Sequence, residues 1–251
     1  MNKFIGFVAS FAFSLGEILH AKLFRYMHES GLILASVYIP NGSTVHIASG
    51  YGDAMSMTAV SNADPAVATL ESSHAVIVGD ILEMTSGWSK LENRIVRASV
   101  VATNNISLEG IDSSSTTAYP AGSGTGSARE ITGWTQLQQI LEFTGEGGEQ
   151  QFVTFQFLED DAERRIPTNK SAVGVNIQIA DDDSLAGYLL AKEANDDRLP
   201  RAIKVTKPNG GLILFSAYIT LAPMPQLTIN EVARAQVTLS LENPEPTKYA
   251  S

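Results

Sequence analysis

Twice along this chain an Asn-Gly pair separates two runs of strand-forming residues. Val37-Tyr38-Ile39 meets Pro40-Asn41-Gly42 and then Thr44-Val45-His46-Ile47; later, Ala202 to Thr206 meets Pro208-Asn209-Gly210-Gly211 and then Leu212 to Thr220. A two-residue hairpin turn needs positive φ, which Asn and Gly adopt at little cost, so each pattern predicts a tight β-hairpin. Between the hairpins lie further short runs: Ser56–Val60, Ala66–Leu70, Asp80–Thr85, Arg94–Val101 and Ile106–Glu109, punctuated by Asp64-Pro65, Gly79-Asp80, Ser86-Gly87 and Asn104-Asn105. Strands this short and this regularly spaced predict a small barrel or sandwich over 56–112.

Residues 113–127 are rich in Ser, Thr, Gly and Pro and are expected to form a linker. Three extended stretches follow, Trp134–Phe143, Gln151–Leu158 and Ala172–Ile179, with Gly145 to Glu149 turning the first into the second. Trp134, Leu137 and Ile140 also share a helical face, so that first stretch admits either reading. One segment, about 184–195, reads as helix. Asp182, Asp183 or Ser184 is expected to cap it, and Leu185, Tyr188, Leu189 and Lys192 to form its packing face. A last strand, Ala233 to Leu241, precedes the Pro-rich tail Asn243-Pro244-Glu245-Pro246.

The fold class expected from the residues is therefore mainly β with one α-helix. Its expected organisation is an N-terminal extension over 1–30, a main domain from 31–55 plus 113–251, and an inserted small β module over 56–112. The extension opens with Met1-Asn2-Lys3 and an apolar run from Phe4 to Leu15. That pattern fits a signal-like segment, and it equally fits a start codon placed too early, with Met27 as the true start.

Charge narrows the function classes. The chain carries a net −10. Lys3, Lys22 and Arg25 against Glu17 and Glu29 make the first 30 residues one unit positive, which leaves −11 for the rest. Such acidity argues against tight nucleic-acid binding, which needs cations against phosphates. There is no cysteine, which excludes disulfides, thiolate nucleophiles and Cys-ligated metal. The four histidines, His20, His28, His46 and His74, have no metal-ligand spacing. Ser72-Ser73-His74 lacks a nucleophile elbow, and Gly122-Ser123-Gly124-Thr125-Gly126 lacks phosphate-loop spacing and reads as flexible linker. Asp181-Asp182-Asp183 reads as capping rather than cation binding, because consecutive side chains diverge. No catalytic, cofactor or metal residues are expected, so an enzyme is the weakest of three readings. An exported β-sandwich binding module is the alternative to a structural protein.

Two stretches carry a resemblance. Gly147-Gly148-Glu149-Gln150-Gln151-Phe152, Gln156-Phe157-Leu158-Glu159-Asp160-Asp161, Arg165-Ile166-Pro167-Thr168 and Leu199-Pro200-Arg201-Ala202 stand in an order that resembles the tail tube proteins of long-tailed, siphovirus-type bacteriophages. Asn62-Ala63-Asp64-Pro65-Ala66-Val67, His74 through Gly79-Asp80, and Leu91-Glu92-Asn93-Arg94 resemble a small β module of phage virion proteins. Ser-His-Ala stands there for a more usual His-Gly, and Glu92-Asn93-Arg94 for Asn-Gly-Arg. The resemblance implies a β-sandwich or barrel tail-tube fold with one flanking helix, in a virion structural protein assembled as hexameric rings that stack into a tube through which the genome travels. It implies self-association and contact with terminator, tip or tape-measure proteins, passage of double-stranded DNA without specific binding, no membrane partner and no cofactor. Assembly would take place in the host cytoplasm and end in the tail of the virion.

Within that reading, two residue sets are expected to matter. The loop Glu159 to Lys170 is long and charged, and Glu159, Asp160, Asp161, Arg164 and Arg165 are expected to reach a neighbouring subunit or ring. Glu142, Glu146 and Glu149 are expected to face the lumen.

Overall fold

The computed structural model describes residues 40–250. The 1–30 extension and the first arm of the first hairpin, Val37-Tyr38-Ile39, lie outside the described residues.

Six strands close a small barrel: β1 (Thr44–Val60), β2 (Val67–Leu70), β3 (Ile81–Ser86), β4 (Arg94–Ala102), β5 (Asn105–Leu108) and β6 (Gly126–Leu137). All neighbours are antiparallel, in the circuit β1–β2–β5–β4–β3–β6–β1, so the barrel strands lack free edges where they pair. Met57, Leu70, Met84, Trp88, Leu91 and Ile106 fill the interior, each contributing about 1.5–3 kcal/mol through burial.

Residues 113–125 are not a flexible linker. Ser113 is buried and its hydroxyl donates to the Ser61 carbonyl at 2.6 Å. The Tyr119 ring meets Trp88 edge-on at 5.1 Å, and the Trp88 indole N–H donates to the Pro120 carbonyl at 2.7 Å. The Ser- and Gly-rich composition signalled irregular backbone correctly. The buried partners, Trp88 above all, hold that backbone as a strap across the barrel.

β1 and β6 run on beyond the barrel, paired from Met57↔Gly126 to Val45↔Leu137. The ladder slips between Ala48 and Ala54, where Gly50 faces Gly133, and such bulges bend a strand pair. Beyond the bend the sheet continues through β11 (Arg201–Thr206), β12 (Leu212–Leu221), β13 (Arg234–Leu241), β10 (Val173–Ala180) and β7 (Ile140–Gly147). The second Asn-Gly hairpin is β11–β12, turning through Lys207 to Gly211. β12 changes neighbours at Ala217: it pairs β11 through Leu212–Ala217 and β13 through Ala217–Leu221. The two halves thus share one strand and enclose one apolar core, which includes Ile47, Ile203, Phe215, Ile177, Val237 and Leu239. The protein is mainly β, as expected.

Among the described residues there is one α-helix, α1 (Ala186–Asp197), two residues later than expected at each end. None of the three expected caps serves it. Leu185 occupies the cap position without a side-chain bond, while Asp182 Oδ1 accepts the Ser184 N–H and hydroxyl and ties the acidic run into its own turn. The packing face is also different: α1 buries Gly187, Ala191 and Ala194, whereas Leu189 is exposed. Close approach decides this, because a Cβ on Gly187 would stand 2.3 Å from the Gln136 carbonyl oxygen of β6. Small residues bring the helix onto the sheet, and the larger ones border the contact.

The C-terminal strand β14 (Thr247–Tyr249) pairs with Leu212–Leu214 of β12. Tyr249 packs with Leu214, Ala202, Ala48, Ile131 and Ile95, a third cluster that joins barrel and sheet.

Candidate assembly and lumen surfaces

In β10, β13 and the end of β12, polar and apolar residues alternate with period two, so the sheet has two unlike faces. Val175, Ile177, Val237, Leu239 and Ile219 point into the core. The opposite face carries hydroxyls and amides in register: Thr144, Asn176, Thr238 and Thr220 form one row, and Glu142, Gln178 and Gln236 another. Thr238 donates to Asn176 Oδ1 at 3.0 Å, and Arg234 Nη1 to Gln178 Oε1 at 3.3 Å. Charge on this face is acidic, with Glu142, Glu146 and Glu242 against Arg234. Burial pushes the Glu242 carboxyl above the usual carboxylate range, opposed by hydrogen bonds from the Ser216 and Tyr218 hydroxyls at 3.2 and 3.4 Å.

At its far end the same face is covered. His46 and Lys204 are register partners there, and Lys204 Nζ lies 4.3 Å from the Trp134 ring centroid. Burial lowers the pKa of both; Lys204 adds to the effect on His46.

β7 ends the sheet. It pairs β10 on one side and has no strand partner on the other among the described residues. Leu141 and Phe143 on it are exposed. An unpaired edge of this length presents free N–H and C=O groups to another chain.

From the end of β7 the chain turns at Gly147, φ +78°, where a Cβ would lie 1.9 Å from the Ala172 carbonyl oxygen. It then forms a separate two-stranded ribbon, β8 (Gln150–Phe155) with β9 (Arg164–Lys170). The expected long loop from Glu159 to Lys170 is thus half strand: the connection over 156–163 holds Glu159, Asp160 and Asp161, and Arg164 and Arg165 follow it into β9. Sequence reading missed β9 because Arg164-Arg165-Ile166-Pro167-Thr168 is charged and contains proline, both tolerated on an edge strand. Neither face of the ribbon is covered: Phe152 pairs with Pro167 and Val153 with Ile166 on opposite faces, and Phe152, Val153 and Ile166 are all exposed. An isolated two-stranded hairpin is marginally stable in water.

Glu142 and Glu146 lie together on the polar face of β7, whereas Glu149 stands at the root of the ribbon, its N–H bonded to Ser171 Oγ at 2.9 Å. Asp160 pairs with Arg164 at 2.9 Å, and the Arg164 guanidinium lies 5.7 Å from the Phe157 ring centroid. Glu159 and Asp161 are in the turn, and Arg165 is in β9 opposite Thr154. The polar face is the feature the sequence analysis passed over, although its signal is plain in Arg234-Ala235-Gln236-Val237-Thr238-Leu239-Ser240-Leu241. His74 Nε2 is occupied by the Thr103 carbonyl at 2.7 Å. Among the described residues no three His, Asp or Glu side chains gather as metal ligands, and no helix is long and apolar enough to cross a membrane.

Comparison with known proteins gives a family. The model of the family described as phage tail tube protein, TTP, matches residues 86–251. No curated protein sequence matches the chain. Among solved structures, the tube-terminating cap of the anti-feeding prophage is similar at 20% identity over 44% of this chain and 82% of the other, with a TM-score of 0.30. The sheath-tube complex of an extracellular contractile injection system, in its extended state, is similar at 13% identity over 43% of this chain and 80% of the other, also with a TM-score of 0.30.

Proposed function

This chain belongs to the phage tail tube protein family, and we propose that its copies form closed hexameric rings that stack into the tube of a phage tail, the conduit for genome delivery. The observation that carries this reading is the conjunction, in one sheet, of an edge at β7 that has no strand partner among the described residues with an open acidic and hydroxyl-rich face. A free edge that meets an unlike edge of an identical chain generates a ring when the rotation closes. The polar face then lines the channel. Duplex DNA carries one charge per ~1.7 Å of axis, and a basic wall would hold it by counterion release. A wall of Thr, Asn and Gln with Glu142 and Glu146 offers no such hold and repels weakly, over a Debye length of ~8 Å at physiological ionic strength.

On this reading the protein's role is structural, its site of action is the virion tail after assembly in the host cytoplasm, and its partners are its own copies with terminator, tip or tape-measure proteins. The ribbon β8–β9 supplies the contact to a neighbouring subunit or ring. The barrel, in which the strands of 56–112 are closed by the first half of β6, is a module carried by the tube domain. Negative-stain microscopy of the purified protein tests the reading: six-fold rings and tubes support it, and monodisperse monomers at high concentration overturn it.

A further inference from the structure

Strand register places two exposed apolar clusters at opposite ends of the same strands. The ribbon leaves the sheet where Gly147 pairs with Val173. At the other end of β10, Ala180 pairs with Arg234, and the β12–β13 connection over 222–233 begins and ends there. That connection is closed by paired bonds between Gln226 and Arg234, 2.7 and 3.1 Å, yet Met224, Leu227, Ile229 and Val232 all face solvent, with Ile229 89% exposed. Beside it, Tyr188, Leu189 and Leu221 to Pro223 line a groove that also includes Asp183. Loops are normally polar, and four large apolar side chains exposed within ten residues mark a surface that is covered in use.

We propose that this loop and groove receive the β8–β9 ribbon of a second copy of the chain, so that stacking joins the ribbon end of one subunit to the loop end of the next. The proposal rests on the self-assembly reading above and names the surface that assembly uses. Three observations select this occupant. Both surfaces are apolar, and the ribbon has exposed side chains on each face with nothing among the described residues to cover them. They lie at opposite ends of one strand set, so the contact is head-to-tail between unlike surfaces, which propagates, whereas like-to-like contact would close as a two-fold dimer. Charge matches along β9, whose Arg165 and Lys170 stand apart from the acids of the ribbon's turn, since the loop is flanked by Asp181 and Asp183, with the Asp181 N–H bonded to the Ala233 carbonyl at 2.9 Å. Apolar burial would supply the affinity and the flanking charges the register.

The absence of cysteine makes the test clean. Leu227→Cys or Ile229→Cys in one preparation is mixed with Phe152→Cys or Ile166→Cys in another, assembled, and treated with a short bis-maleimide. A ribbon–loop dimer is expected from the mixture and from neither variant alone. In parallel, the double variant L227D/I229D is expected to keep the melting temperature of the unaltered chain and to stop at single rings. Tubes that form with no ribbon–loop cross-link at any of the four pairings, or full-length tubes from L227D/I229D, would overturn the proposal. An unaltered chain that makes neither rings nor tubes would instead refute the self-assembly reading itself.

Discussion

The phenol oxygen of Tyr249 accepts a hydrogen bond from the backbone N–H of Arg97 at 2.8 Å, joining residues 152 apart in the chain. The same hydroxyl donates to the Glu109 carbonyl at 3.2 Å, and the Arg97 guanidinium stacks over the ring at 4.5 Å. The C-terminal strand is thereby fastened to the barrel through one buried side chain.

Tyr249→Phe removes both hydrogen bonds and leaves the Arg97 N–H without this partner. The expected loss is about 1–2 kcal/mol at neutral pH. Burial pushes the Tyr249 hydroxyl up to about 12. Its unfolded value is lower, about 10, so the unfolded chain gives up this proton first as pH rises. The stabilisation is complete below pH ~10 and is lost progressively between the two values, by about 2 kcal/mol. Denaturant melts of wild type and Y249F at pH 7 and pH 11 check this: the gap between them should narrow at the higher pH.

Gly187 tests the helix seat. Gly187→Val places a Cβ against the Gln136 carbonyl and is expected to cost about 3 kcal/mol, the upper end for overpacked sites. Leu189→Gln on the exposed flank should change stability by less than ~0.5 kcal/mol. Thermal unfolding of the two variants separates the face that packs from the face that the sequence pattern suggested.

That pair also shows what was legible in the sequence. Turn chemistry at Asn209-Gly210 located a hairpin, and the extended stretch Ala172–Ile179 fell within one residue of β10 at each end, because both signals are local. The helix face was misjudged because helical periodicity favours large apolar residues, whereas the distance to β6, set by tertiary packing, admits only small ones at Gly187, Ala191 and Ala194. The strap over 113–125 was misjudged for the same reason: its order comes from Trp88, 32 residues before Pro120 in sequence. Of the three residues expected to face a lumen, Glu142 and Glu146 share the polar face because they are two pleats apart on one strand, while Glu149 falls beyond a turn that alternation alone does not predict.

Neutralising the charges of the ribbon is expected to separate folding from assembly. Glu159, Asp160, Asp161, Arg164 and Arg165 are exposed or in surface pairs, and such pairs contribute at most about 1 kcal/mol. A variant with Gln or Asn for the acids and Gln for the arginines should unfold within a few degrees of wild type and yet fail to make tubes. Normal tubes from it would remove the ribbon charges from the stacking account.

Lumen charge has its own readout. Glu142→Lys with Glu146→Lys should leave tubes intact, since both side chains are exposed on a face that packs against nothing in the described chain. Phage carrying them should eject DNA more slowly, most of all at low salt, where phosphate attraction is least screened. Ejection rates unchanged at every salt concentration would leave the acidity of this face as a matter of solubility alone.

A cryo-EM reconstruction of tubes assembled from the purified chain tests the central claim most directly. The account predicts six copies per ring, the β7 edge paired with a neighbouring copy, and the row Thr144, Asn176, Thr238 and Thr220 facing the channel together with Glu142 and Glu146. A tube whose channel is lined by another surface, with this row turned outward, would contradict it.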